Sequence, residues 1–376
     1  MLKCVSILCF MILLLFSILY HHYRETKEGF EISDARFFDE AYHKPYTSTT
    51  TRPDCIFVSI ASYRDTECKN TLIDIFKKAK EPHKIFIGLC QQNKEENETC
   101  IANVEEQYKS HIREYNISYT EARGPTWARY ICSHLWDGEE YFMQIDSHSR
   151  FLPNWDEKVK NIYKQCPPGK NILTHYPPSH NSYDEIVNNQ KSEVSYTCSS
   201  HFEKNFHIIS EAKNVKNKDK PFTTPYMSAG FMFTTSDLLS EVPFDPYLPY
   251  LFQGEEILLS SRFWTSGWNM FNPQEPVITH YYNREKENHP HFWDDHKNWD
   301  KIQRETNKRY YYLIGQKERN EVKPEFLTHV EDYGMGTTRS LQDWFDFVGI
   351  DMENKKIQSR CKSTYDLETK QWILNE

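Results

Sequence analysis

The chain has 376 residues and a mass of 45.0 kDa, enough for one large core or two modest ones. Its 45 Lys and Arg stand against 54 Asp and Glu, a formal net charge of −9, so no basic excess is available to neutralise phosphates and a nucleic-acid partner is excluded. Aromatic residues reach 15%, which fits either a sugar-handling surface or a compositional bias.

Residues 4–20 (CVSILCFMILLLFSILY) form an almost unbroken apolar run, preceded by Lys3 and followed by His21, His22, Tyr23 and Arg24. The run is slightly short of the roughly 20 residues of an untilted spanning helix, and its flanking Tyr and Ser can extend it. No small-x-small site precedes Glu25, which favours an uncleaved signal-anchor over residues 1–24 above a cleaved signal peptide. Basic residues on both sides leave the orientation open. Two glycosylation sequons, Asn97-Glu98-Thr99 and Asn116-Ile117-Ser118, favour a lumenal domain and hence a single-pass type II protein of the Golgi or secretory pathway. Residues 25–53, with TSTTT at 47–51, read as a stem. Eight of the ten cysteines lie outside the apolar run; an even number permits disulfides, and the absence of C-x-x-C argues against a zinc ribbon.

From Cys55 onward strand and helix patterns alternate. Residues 56–61 (IFVSIA) read as a buried strand, 66–80 as an amphipathic helix and 84–90 (KIFIGLC) as a second strand. A third strand is expected over 116–119, a helix with a Thr126 cap over 126–136, and a fourth strand ending at Asp146. This alternation implies a largely parallel sheet with crossover helices, and neither G-x-G-x-x-G nor a P-loop suggests a dehydrogenase or kinase. A helix is expected to Cys166. Residues 167–222 carry no clear pattern, with 213–220 read as an exposed charged loop. A strand over 226–233, a helix over 257–268, a strand over 277–282 and a helical appendage over 326–376 complete the reading, so the main domain spans 54–325.

Asp146-Ser147-His148 lies at the end of a strand, where open α/β sheets place their ligands. Residues two apart on an extended backbone point the same way, so Asp146 and His148 can close on one ion while Ser147 points elsewhere. One oxygen and one nitrogen ligand suit Mn²⁺ or a similar borderline cation. The alternative is a polar strand end with a surface histidine. Tyr63, Arg64 and Asp65 follow the first strand, where the first crossover meets nucleotide in such halves. Arg129 is the first candidate for a cation that binds phosphate oxygens, since a guanidinium does so bidentately, and Arg123 the second. Glu255 and Glu256, two adjacent acids at a helix start, can accept hydrogen bonds from ligand hydroxyls or can simply complement the helix N-terminus. Trp293 and Trp299 offer stacking surfaces, whereas Trp264 and Trp268, four apart, suit a core.

The ordered blocks at residues 59–65 (SIASYRD), 123–130 (RGPTWARY), 146–148 (DSH), 228–231 (SAGF), 251–256 (LFQGEE) and 279–282 (THYY) resemble the polypeptide α-N-acetylglucosaminyltransferases. That family puts GlcNAc on hydroxyproline or threonine and is similar to the mucin-type polypeptide GalNAc-transferases. The resemblance covers about residues 54–350. It implies a GT-A type nucleotide-sugar fold, UDP-GlcNAc as donor, Mn²⁺ dependence, retention of anomeric configuration and a protein acceptor. It also implies His280 as a third metal ligand. A glycan or lipid-linked acceptor, and a non-catalytic carbohydrate-binding relative, are the alternatives. Paired acids alone would allow a hydrolase, but the D-x-H step favours nucleotide-sugar metal binding.

Overall fold

The computed structural model of the protein describes residues 37–94, 99–191, 193–203, 207–282 and 290–374. The expected anchor at 1–24, the start of the stem and the Asn97 sequon lie outside the described residues. Among the described residues no helix is long and apolar enough to cross a membrane.

The first half alternates as the pattern predicts: β1 (Arg52–Tyr63), α1 (Cys68–Lys78), β2 (Ile85–Asn93), β3 (Ile112–Ser118), α2 (Pro125–Ser133) and β4 (Glu139–Asp146). Next come β5 (Ser149–Phe151), α3 (Trp155–Lys164), β6 (Asn171–Thr174), the hairpin of β7 (Glu193–Phe202) and β8 (Ile208–Lys216), β9 (Phe222–Thr223) and β10 (Phe231–Thr235). The chain then continues through α4 (Glu255–Thr265), β11 (Asn269–Asn272), β12 (Ile278–His280), α5 (Trp299–Leu313) and α6 (Leu341–Val348). Two short hairpins follow, β13 (Ile350–Asp351) with β14 (Lys356–Ile357) and β15 (Ser363–Asp366) with β16 (Gln371–Leu374).

The main sheet has eight strands in the order β3-β2-β1-β4-β10-β6-β11-β9. The β3-β2-β1-β4 half is parallel, while β10 runs antiparallel to both β4 and β6, which makes the sheet mixed. Ile56, Val58 and Ile60 of β1 pack on one face against Leu72 and Ile75 of α1, and Phe57 packs on the other against Tyr130 and Phe142. A strand covered on both faces reads as a continuous apolar run, which is why IFVSIA was legible.

Several expectations need correction. Residues 213–220 are not wholly loop, because β8 extends to Lys216 and pairs with β7 along its length. Only one face of that hairpin is apolar, so its charged outer residues hide the period. The helix expected over 126–136 starts one residue earlier and is not capped by Thr126, whose hydroxyl donates to the Leu248 carbonyl at 2.9 Å. Gly124 caps it at φ 88°, where a Cβ would lie 2.8 Å from Tyr250 Cα, and Pro125 opens its first turn. Residues 226–230 are not strand but the approach to β10. The C-terminal region is helical only in part. It is not a separate appendage, since Trp344 and Phe347 of α6 share a core with Trp264 of α4 and Tyr310 of α5, and a Cys198–Cys361 disulfide ties it to β7. The stem does not run free to residue 53 either. From Phe37 it is a packed strap whose Tyr42 ring meets Trp127 and Tyr130, and whose Tyr46 ring stacks on His134 at 4.1 Å.

Candidate active site

β4 delivers Asp146 between β1 and β10, in register with Ala61 on one side and one residue beyond the Ile145–Phe231 pair on the other. Ser147 and His148 then form a turn, so the alternation of an extended strand is not what brings Asp146 and His148 together. Thr71 of α1 holds that turn: its hydroxyl lies 2.7 Å from the Ser147 carbonyl and 3.0 Å from that of Ser149, and it accepts from the Ser149 amide at 3.1 Å. β12 pairs antiparallel with β5 and sets His280 opposite Ser149. The result is a three-residue cluster. His280 Nε2 lies 3.0 Å and His148 Nε2 3.9 Å from Asp146 Oδ2, and one ligand atom from each of the three falls within 4.8 Å of the others.

Asp65 turns to Ser147 and His148 rather than into the cavity. One of its oxygens accepts from the Ser147 hydroxyl at 2.7 Å and lies 2.7 Å from His148 Nδ1, and the other accepts the Glu67 amide at 2.9 Å. A carboxylate on Nδ1 fixes the ring's tautomer and turns Nε2 toward Asp146, as outer-sphere acids do for metal-ligating histidines. Burial pushes the His148 pKa down, against the opposing pull of Asp65, so the ring keeps a lone pair.

Arg129 of α2 is buried between two carboxylates. Its guanidinium pairs with Glu255 on one side and, at 3.0 Å, with Asp146 on the other. Burial alone would lower its pKa, but Glu255 and Asp146 outweigh that and raise it. Burial would likewise raise the Asp146 carboxyl, yet His280 and Arg129 hold it well below the usual range. Glu255 keeps one buried oxygen, Oε1, with no hydrogen-bond partner among the described residues. Glu256 is spoken for: Ala229 N–H donates to it at 2.9 Å, and the Tyr176 and Ser210 hydroxyls donate to its other oxygen. Burial raises its pKa despite those donors.

These groups line a cavity of about 530 Å³. Tyr63, Arg129, Asp146, His148, Glu255, Glu256 and His280 line it; Arg64, Asp65 and Arg123 do not. Arg64 turns to Asp295 at 2.6 Å, and Arg123 is held in the strap, over the Trp127 ring and against the Tyr42 hydroxyl. The rim carries Phe252, Tyr282 and Trp293, with Phe252 and Trp293 ring to ring at 5.2 Å. Trp264, stacked on Phe347 at 4.0 Å, and Trp268 lie in the core, and Trp299 packs beside Phe292 and Trp293. Tyr176 and Ser210 carried no signal in the sequence, because their partner Glu256 is 80 and 46 residues away.

The chain matches the family model described as glycosyltransferase (GlcNAc) over residues 55–108 and 102–354. It belongs to that glycosyltransferase (GlcNAc) family. No curated protein matches the sequence. Among solved structures, the chain is similar to that of GalNAc-T7 with UDP, GalNAc and Mn²⁺ (TM-score 0.48, 13% identity, 78% of this chain and 56% of that one). It is also similar to residues 1–349 of S. aureus TarS in complex with UDP-GlcNAc (TM-score 0.42, 11% identity, 74% and 80%). A third is the mannosyltransferase PcManGT of Pyrobaculum calidifontis with GDP-Man and Mn²⁺ (TM-score 0.39, 12% identity, 80% and 76%). The chain thus spans little more than half, 56%, of the GalNAc-T7 chain. In this member of the glycosyltransferase (GlcNAc) family, Asp65, Asp146, Glu255 and Glu256 set four carboxylates about the Arg129 guanidinium among the described residues, and Asp146 with the imidazoles of His148 and His280 is a donor set that suits one divalent cation.

Proposed function

We propose that the protein is a metal-dependent retaining glycosyltransferase of GT-A type that moves GlcNAc from UDP-GlcNAc to a protein hydroxyl. In this reading it works in the secretory pathway, anchored through residues 1–24 with its catalytic domain lumenal. The observation that carries the reading is the Asp146, His148 and His280 cluster at the wall of a cavity large enough for a nucleotide sugar.

A divalent cation such as Mn²⁺ held by those three residues supplies Lewis-acid neutralisation of the negative charge that develops on a departing diphosphate. The chain's own groups do the rest. Asp65 keeps His148 in the ligating tautomer. Arg129 bridges Glu255 to Asp146, so the wall that receives the sugar and the wall that receives the phosphates keep a fixed separation. The unpartnered Glu255 Oε1 accepts a hydroxyl of the sugar or of the acceptor. Glu256 has no such freedom and acts by holding the Ala229 amide. Tyr63, whose hydroxyl donates to Asp295 at 2.8 Å, forms the side on which the base of the nucleotide would lie.

The test is UDP release from a panel of UDP-sugars with and without Mn²⁺, beside Asp146→Ala. Turnover of UDP-GlcNAc that requires metal and disappears in the variant supports the reading. Binding of a carbohydrate with no release of UDP from any donor would sink it in favour of a non-catalytic relative.

A further inference from the structure

The two edges of the main sheet are guarded unequally. At one end β9 has two residues, too short to template another strand. At the other end β3 has seven, and all seven pair with β2 in unbroken register from Ile112 to Ser118. Its outer side therefore carries a row of backbone donors and acceptors with no partner strand among the described residues. Sheet edges are commonly blunted by a proline, a bulge or outward charges. β3 has no proline and no bulge, and its two charged residues are turned inward: Arg113 pairs with the buried Glu139, and Glu114 accepts from the buried Gln91. Tyr115, 41% exposed, adds apolar surface to this edge.

Asn116 lies on β3 opposite Gln91 and opens the sequon Asn116-Ile117-Ser118. It is exposed. Its Oδ1 accepts from Gln91 Nε2 at 2.9 Å, and Gln91 is held in turn, its Oε1 accepting the Cys100 amide at 2.7 Å. The amide of Asn116 is thereby fixed with its oxygen on the sheet. Its Nδ2, the atom that carries sugar in an N-linked glycan, makes no hydrogen bond among the described residues.

We propose that Asn116 carries an N-linked glycan that covers the open β3 edge and blocks strand-to-strand association. The proposal rests on the lumenal placement of the domain given under the proposed function. The sugar comes from a lipid-linked oligosaccharide diphosphate. The Nδ2–C1 bond forms as the C1–O bond to the diphosphate breaks, the lipid diphosphate leaves with the bonding pair, and the amide gives up one proton. The folded strand has only to leave room for the product, and the exposure of Asn116 does so. A bulky, hydrated sugar at that point keeps a second strand from reaching the ~4.8 Å spacing that pairing requires.

The test expresses the full chain in secretory cells with Asn97→Gln, so that Asn116 opens the one sequon left. Protease added to sealed microsomes shows which side the domain faces. Peptide N-glycosidase shows the glycan, by the fall in mass and by conversion of Asn116 to aspartate. Sedimentation in detergent shows association. We expect a protected domain and one glycan at Asn116, which Ser118→Ala abolishes and Ser118→Thr keeps. Association should rise with concentration in Ser118→Ala and in the folded protein stripped by the glycosidase, but not in the glycosylated protein. The stripped protein separates loss of the sugar from a folding defect of the variant. A protected domain with Asn116 unmodified overturns the proposal and leaves the lumenal placement standing. A domain open to the protease overturns both. A glycan whose removal leaves association unchanged overturns the covering role. None of these readouts depends on turnover, so they stand apart from the transferase reading.

Discussion

Asp65 shows how a residue's neighbours can redirect its role. Placed after the first strand, it had the address of a nucleotide contact, yet its carboxylate is buried and spent on Ser147 and His148. Asp65→Asn keeps the shape and removes the charge that orients Nε2. Loss of such an outer-sphere acid lowers metal affinity roughly 10–100-fold, so the Mn²⁺ concentration for half-maximal activity should rise by that factor while the melting temperature stays close to wild type. An unchanged Mn²⁺ requirement would refute the role. Gly230 makes a second case: a Cβ there would lie 3.2 Å from Asp146 Oδ2. Gly230→Ala is therefore expected to weaken metal-dependent turnover at least about tenfold with little loss of stability, measured by turnover against Mn²⁺ beside thermal melting. At this scale the sequence was legible where chemistry is local. Asp146 and His148 sit two apart, whereas His280, 134 residues from Asp146, came from the family resemblance and not from its own surroundings. The sequence was silent where the partner is remote, as for Thr71 with Ser147, or Tyr176 with Glu256.

Among the elements, α2 joins the strap to the active site. Its outer face carries Trp127 and Tyr130 against Tyr42, and its inner face carries Arg129 between Glu255 and Asp146. A polar stretch with a TSTTT run ahead of a domain reads as a stem because nothing within it says what it will meet. The aromatic rings that anchor it, Phe37, Phe38, Tyr42 and Tyr46, become informative only beside Tyr250, Phe326, Trp127 and His134. The strands of the parallel half were readable because burial on both faces makes them uniformly apolar. The β7–β8 hairpin was not, because one of its faces meets solvent. Tyr42→Ala removes a half-buried ring and the hydroxyl partner of Arg123 at once. We expect a loss of about 2 kcal/mol in urea denaturation, with turnover falling in parallel as α2 loosens. A variant that keeps wild-type stability would show that the strap lies on the domain without holding it.

The molecule as a whole is expected to lose stability in mild acid for a reason that lies behind the cavity. His175, at the end of β6, is fully buried, and neither ring nitrogen has a hydrogen-bond partner among the described residues. Burial pulls its pKa down to about 3, and burial likewise brings that of His207, stacked on Tyr310, to about 4. Unfolded, both rings titrate near the ordinary ~6.5. Below that pH the unfolded chain therefore binds protons that the folded chain refuses. The stability these rings allow is complete above pH ~6.5 and is lost as the pH falls toward their folded values. Each fully excluded proton contributes a slope of about 1.4 kcal/mol per pH unit. Carboxylates with lowered values act in the same direction, but they protonate in the unfolded chain near pH ~4, so from pH ~6.5 to ~5 the loss comes from the buried histidines, opposed by Glu256 and His329, whose values are raised. Urea denaturation at a series of pH values across that interval should show stability rising with pH. His175→Gln, which cannot titrate, should flatten the slope by about 1.4 kcal/mol per unit, whatever it does to stability at neutral pH. If the slope is the same in both proteins, His175 already takes up a proton in the folded chain, and its ring must have a partner that offsets its burial.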